Sequence, residues 1–188
     1  MKTQRFMLPI VVLSLGAVAL AQSDGTPIAP PDAHQSFDRM KSLAGNWEGP
    51  VTLDPPDPQM SDGKTPVQVS MRITSRGNAL VHELQEAGKP VDPTKYDHPV
   101  TMLYLDGGRL TLVHYCDAGN RPRLVAKNSA EGKTVEFDFA ELSGGNENGH
   151  MYHALCTIID ANHHTGDWTY LMPGDKPMHA HLNLQRLP

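Results

Sequence analysis

The stretch "VQVSMRITSRGNALVHELQE", Val67 to Glu86, decides the fold. Val67, Val69, Met71 and Ile73 take every second position, the period of an extended strand with one face in a core. Gly77-Asn78 interrupts the run. A second run follows, in which Leu80, His82 and Leu84 share one parity. Two alternating runs across a short glycine turn predict a β-hairpin.

The same grammar extends in both directions. Ten strand-like segments are read, at roughly 46–53, 66–76, 79–87, 99–106, 109–116, 122–129, 133–142, 150–160, 165–172 and 176–187. Core-like alternation recurs in Val135, Phe137, Phe139, in Trp168, Tyr170, Met172, and in Met178, Ala180, Leu182, Leu184. The fourth and eighth segments are apolar on both faces and cannot be oriented. Connections after the even segments are mostly short ("GN", "GG", "AEG", "ANHHT"). Those after the odd segments are mostly longer, among them "DPPDPQMSDGKTP", "AGKPVDPTKYDHP" and "SGGNENG". Successive connections of a meander alternate between its two ends. The expected fold is therefore all-β, a ten-stranded antiparallel up-and-down barrel with one tight end and one open end, wide enough for an internal cavity. A β-sandwich of the same strands is the alternative.

The flanks set the organisation. Lys2 and Arg5 precede an apolar run, Phe6 to Leu20, which ends in Ala19-Leu20-Ala21, a small-x-small cleavage form. Residues 1–21 are expected to be a signal peptide, which implies a periplasmic or secreted protein without stable membrane insertion after cleavage. Residues 22–35 are polar and proline-rich and read as a disordered lead-in. Ser36 is expected to cap a short helix, "SFDRMKSLA", at the start of a barrel domain spanning 36–188. The full chain carries 16 basic and 21 acidic residues, a net charge of −5, and losing Lys2 and Arg5 makes it −7. No basic stripe is present, so nucleic acid and anionic membrane surfaces are not expected partners. Cys116 and Cys156 fall on separated segments, and the sequence leaves their pairing open.

"GNWEG" after the predicted helix places Gly45 and Trp47 at the start of the first segment, and Arg186 closes the last. With these residues the chain resembles the calycins, the superfamily of lipocalins, fatty-acid-binding proteins and nitrobindins, in an exported bacterial form. The Thr-Asp-Tyr-like turn of lipocalins is absent. The resemblance implies that Arg186 packs over Trp47 at the closed end, a cation over an indole face with its donors free for backbone carbonyls.

Candidate site residues follow from parity and strand number. In "LTLVHYC", His114 and Cys116 share parity with Leu110 and Leu112 and lie toward the open rim. His82 is inward with Leu80 and Leu84. Tyr104 and His153 are placed near the same mouth, and Arg123, just past the next turn, is placed to meet a carboxylate. The bland reading of each is a hydrogen-bonded core residue or a solvated rim charge. His150, His179 and His181 are expected to be solvated, and His163-His164 to belong to a turn. No Gly-x-Ser-x-Gly, HExxH, phosphate loop or CxxC occurs. The expected function is binding of a small hydrophobic or amphipathic molecule, with no catalytic residue, cofactor or metal assigned. A haem- or transition-metal-binding protein and a barrel enzyme with a cavity histidine as acid/base are the alternatives.

Overall fold

The structure is a computed structural model that describes residues 33–57, 65–127 and 132–188. The predicted signal peptide and most of the lead-in lie outside these residues. Among the described residues one helix, α1 (Ala33–Ser42), precedes eleven strands. These are β1 (Gly45–Gly49), β2 (Val51–Asp54), β3 (Val67–Thr74), β4 (Ala79–Glu86), β5 (Val100–Asp106), β6 (Arg109–Tyr115), β7 (Arg121–Ala126), β8 (Thr134–Ser143), β9 (His150–Asp160), β10 (His163–Met172) and β11 (Lys176–Arg186). From β3 to β11 each strand pairs antiparallel with the next, and β1 pairs with both β3 and β11. That pairing closes the sheet into a barrel of ten strand positions and excludes the sandwich, which would leave edges.

The tenth position is shared. β1 and β2 are one strand broken at Gly49-Pro50, and β2 pairs with β11 alone. The break has a local cause. A Cβ on Gly49 would collide with the Asn183 carbonyl oxygen. Pro50 has no N–H to give, and its carbonyl accepts from Asn183 N at 3.1 Å.

The short connections gather at one end. Between β5 and β6, Gly107 and Gly108 both take positive φ, the geometry of a tight hairpin whose twist suits the flanking strands. Helix α1 packs against β5 and β6 and plugs this end with Phe37 and Met40, followed by Leu43. It begins at Ala33, so the last three residues of the expected lead-in are helical, and Ser36 is buried inside the helix rather than capping it.

The core follows the alternation in most strands. Val67, Val69 and Met71 are buried, as are Val135 and Phe137, and Met178, Ala180, Leu182 and Leu184. Ile73 departs from the expectation and is exposed, because it lies where β3 runs out into the β3–β4 turn. Phe139 is partly buried and stacks on exposed Tyr152 at 5.7 Å. Phe139 stands beside a register shift between β7 and β8, and β9 carries another against β10. Thr169 pairs with His153 and Tyr170 with Met151, so Tyr152 is the extra residue, and Met151 and Ala154 both reach the core.

Candidate functional site

Strand pairing builds a belt across the barrel interior. Met71 pairs with His82, His82 with Thr101, and Thr101 with His114, on adjacent strands β3 to β6. All four are buried. From the opposite wall Trp168 reaches across to this belt. Its ring lies 5.5 Å from His82 and 6.3 Å from His114, both edge to face. Gly166 leaves the indole its space, since a Cβ there would stand 3.3 Å from Trp168 Nε1.

Trp168 and Leu182 separate two spaces and line both. Below them, toward α1, is a small chamber of about 50 Å³ bordered by His82 and His164. Above them, toward the long loops, is a cavity of about 1040 Å³. Its deep wall includes Leu84, Trp168, Tyr170, Met178 and Leu182, and its rim carries Lys89, Asp92, Lys95 and His98 from the β4–β5 loop.

The histidines of the belt are held neutral. His114 Nδ1 lies 2.8 Å from Thr101 Oγ1, and Nε2 lies 3.5 Å from the Tyr170 hydroxyl. A ring protonated on Nδ1 donates to Thr101 and accepts from Tyr170. Burial, with a smaller effect of His82, lowers the His114 pKa to about 3. Burial lowers His82 and His164 to about 4 each. Burial pushes the Tyr170 phenol far up, reinforced by nearby Cys116. These groups therefore present neutral hydrogen-bonding surfaces at neutral pH.

The six residues expected at the mouth do not share one space. His82 borders the inner chamber and Cys116 the mouth cavity, as inward parity implies. His114 is inward but lines neither, because Trp168, Tyr170 and Thr101 enclose it. Tyr104, Arg123 and His153 lie on the outer face. Tyr104 has the opposite parity to buried Thr101 and Leu103. Arg123 donates to Glu141 Oε1 at 2.8 Å, and its charge is spent there. His153 lies 3.0 Å from Glu136 Oε1, across β8 and β9. Its neighbour Ala154 takes the inward place at this point of β9.

Sequence reasoning missed two histidines. His164 is 2% exposed and packs edge to face on Trp47 at 4.3 Å. Its signal was its parity with Gly166 and Trp168, hidden because "HH" resembled part of a turn. His150 is buried at the mouth, with Nδ1 2.8 Å from Asn146 Oδ1. His179 and His181 are exposed as expected, and His181 Nδ1 lies 2.6 Å from Asp167 Oδ1.

The ligand atoms of Glu136, Asp138 and His153 on the outer face lie within 4.8 Å of one another. The Lys127 ammonium already serves this group, 2.7 Å from Asp138 Oδ2 and 3.2 Å from Glu136 Oε1. Cys116 and Cys156 are free thiols.

No family model matches the chain, and no curated protein matches it. Among solved structures it is similar to a protein of unknown function from the DUF3598 family of Nostoc punctiforme PCC 73102. The TM-score is 0.45 at 11% identity, over 87% of this chain and 53% of that one. The chain thus spans about half the length of that structure.

Proposed function

We propose that the protein is an exported binding barrel of the calycin kind, which holds an apolar molecule with a polar end in its mouth cavity. The carrying observation is the cavity of about 1040 Å³ with an apolar deep wall and a charged rim. Its volume matches pockets that enclose small organic ligands, roughly 300–1,000 Å³. An apolar tail against Leu84, Trp168 and Leu182 gains the ordinary transfer free energy, about 25 cal/mol per Å² removed from water. A polar end at the rim remains solvated and meets Lys89, Lys95 or His98. The enclosure of His82 and His114 and their pKa values, lowered well below neutrality, favour binding over catalysis. The Trp47–Arg186 stack favours the calycin reading. Export and a periplasmic or secreted location rest on the Ala19-Leu20-Ala21 form after the apolar run.

The test is mass spectrometry of small molecules released from the purified protein, with displacement of anilinonaphthalene sulfonate by long-chain alcohols and acids. Stoichiometric displacement by one amphipathic class, lost in Leu84→Asp, is the expected result. No probe binding in a folded protein overturns the reading. A Soret band in the purified protein replaces it with haem binding.

A further inference from the structure

We infer that the inner chamber is a binding site for one soft monovalent metal ion, cuprous copper, held by His164 and Cys156 with thioether sulfur from the surrounding methionines. The chamber of about 50 Å³ is separate from the mouth cavity, and this inference does not depend on what the mouth binds. A single ion or a few water molecules fit such a volume; one water needs roughly 10–15 Å³.

The donor set is the first argument. His82, His164, Cys156, Met40, Met71 and Met151 all line this one chamber. Imidazole, thiol and thioether are the ligands that favour cuprous ions over the hard divalent cations, which take oxygen donors. Among the described residues no carboxylate lines the chamber.

The second argument is an unfilled bonding requirement. His164 is 2% exposed, and its buried Nδ1 has no hydrogen-bond partner among the described residues. A buried polar atom without a partner costs about 1–3 kcal/mol. A metal ion satisfies that nitrogen outright. A neutral imidazole ligates through a free lone pair, so no N–H bond has to break at that nitrogen.

Charge balance is the third. A bare monovalent cation in an apolar chamber carries a large desolvation cost. Cys156 removes it. Cys156 is a free thiol on the chamber wall. On ligation the S–H bond breaks, the sulfur–copper bond forms and the proton leaves to solvent, so the buried complex is neutral. No oxidation or reduction is involved. The donors surround the chamber without yet converging, and the flexible methionine chains can close around an ion.

The experiment titrates the intact protein with cuprous ion under anaerobic conditions, in competition with bathocuproine disulfonate. The expected result is one equivalent bound, with release of about one proton and sulfur bonded to copper in the X-ray absorption spectrum. His164→Leu and Cys156→Ala should each weaken binding at least tenfold, whereas the surface double variant His179→Ala/His181→Ala should not. Met71→Leu keeps the side-chain volume and should weaken binding severalfold, and it decides the matter if His164→Leu fails to fold. Coordination by nitrogen and oxygen alone, binding lost with His179 and His181, or parental affinity in Met71→Leu and Cys156→Ala together would overturn the site and leave a chamber that holds water.

Discussion

The Arg186 guanidinium lies 4.1 Å from the centre of the Trp47 ring, and the two residues are register partners across β1 and β11. The contact seals the barrel in both senses. It joins the first strand to the last, and it ties both to the plug. Arg186 donates to the carbonyls of Ala161 at 2.8 Å, Ala44 at 2.7 Å and Ser42 at 3.2 Å, while Trp47 Nε1 donates to Leu43 O at 2.8 Å. Arg186→Ala removes the packing over the indole and three hydrogen bonds, so it should destabilise by about 1–3 kcal/mol. The urea midpoint reads this directly, and a parental midpoint would refute it.

Gly45 is coupled to the same arginine. Its φ of +141° disfavours any side chain, and a Cβ would run into Arg186 Nη1. Gly45→Ala should therefore cost about 1–3 kcal/mol in the parent. Part of that cost is the collision, so it should shrink in the Arg186→Ala background, with a coupling of about 0.5–3 kcal/mol. A double-mutant cycle by denaturation measures it, and strict additivity would show that backbone strain alone forbids the side chain.

His114 offers a different test. The sequence put it at a cavity mouth, and the structure encloses it between Thr101, Trp168 and Tyr170. His114→Phe keeps an aromatic body but leaves the buried Thr101 hydroxyl without its 2.8 Å partner. The expected outcome is a loss of about 1–3 kcal/mol in stability with mouth-cavity binding retained. Probe binding that collapses while the denaturation midpoint holds would restore His114 as a ligand contact.

The barrel was legible because alternation and loop length are local signals. Val67, Val69 and Met71, or Met178 to Leu184, announce their face within a few residues. The closure was legible through Trp47 and Arg186, since an even count of strands sends both to one rim. The outward turn of His153 was not legible, because it depends on the extra residue at Tyr152, and nothing in "HMYHAL" marks which residue the pairing with β10 leaves out. Tyr104 failed for another reason. Its strand is apolar on both faces, and the face is fixed by cross-strand partners, Thr101 with His114 and Leu103 with Leu80 and Leu112. The inner chamber was invisible, since its donors come from α1, β3, β4, β9 and β10 and meet only when the barrel closes.

The two thiols should differ in reactivity. Both are free, and burial raises both, Cys156 to about 12. Only the thiolate reacts, so Cys116 at the mouth should react first with a disulfide reagent, and Cys156 should follow slowly or on unfolding. Two kinetic phases with one thiol each, the fast one abolished in Cys116→Ser, are expected. A single phase, or no free thiol in the native protein, would contradict the structure.

The buried histidines set the acid limit of the fold. His82 and His164 have pKa values lowered to about 4 and His114 to about 3, against an unfolded value near 6.5. For a base whose folded pKa is depressed, the unfolded chain binds more protons once the pH falls below 6.5. Stability is thus complete above that pH and is lost as the pH drops toward 4. Each histidine contributes a slope of up to about 1.4 kcal/mol per pH unit in that window. Three together would remove much of the stability of a small domain, about 5–15 kcal/mol, as the pH falls toward 4. Acid unfolding should therefore begin near pH 5. Carboxylates with depressed values, such as Glu136 and Glu141, act later, below their ordinary range. Equilibrium denaturation at successive pH values gives the slope, and His82→Phe should flatten it by about one proton between pH 6 and 4. An unchanged slope in that variant would mean that His82 takes up a proton in the native barrel.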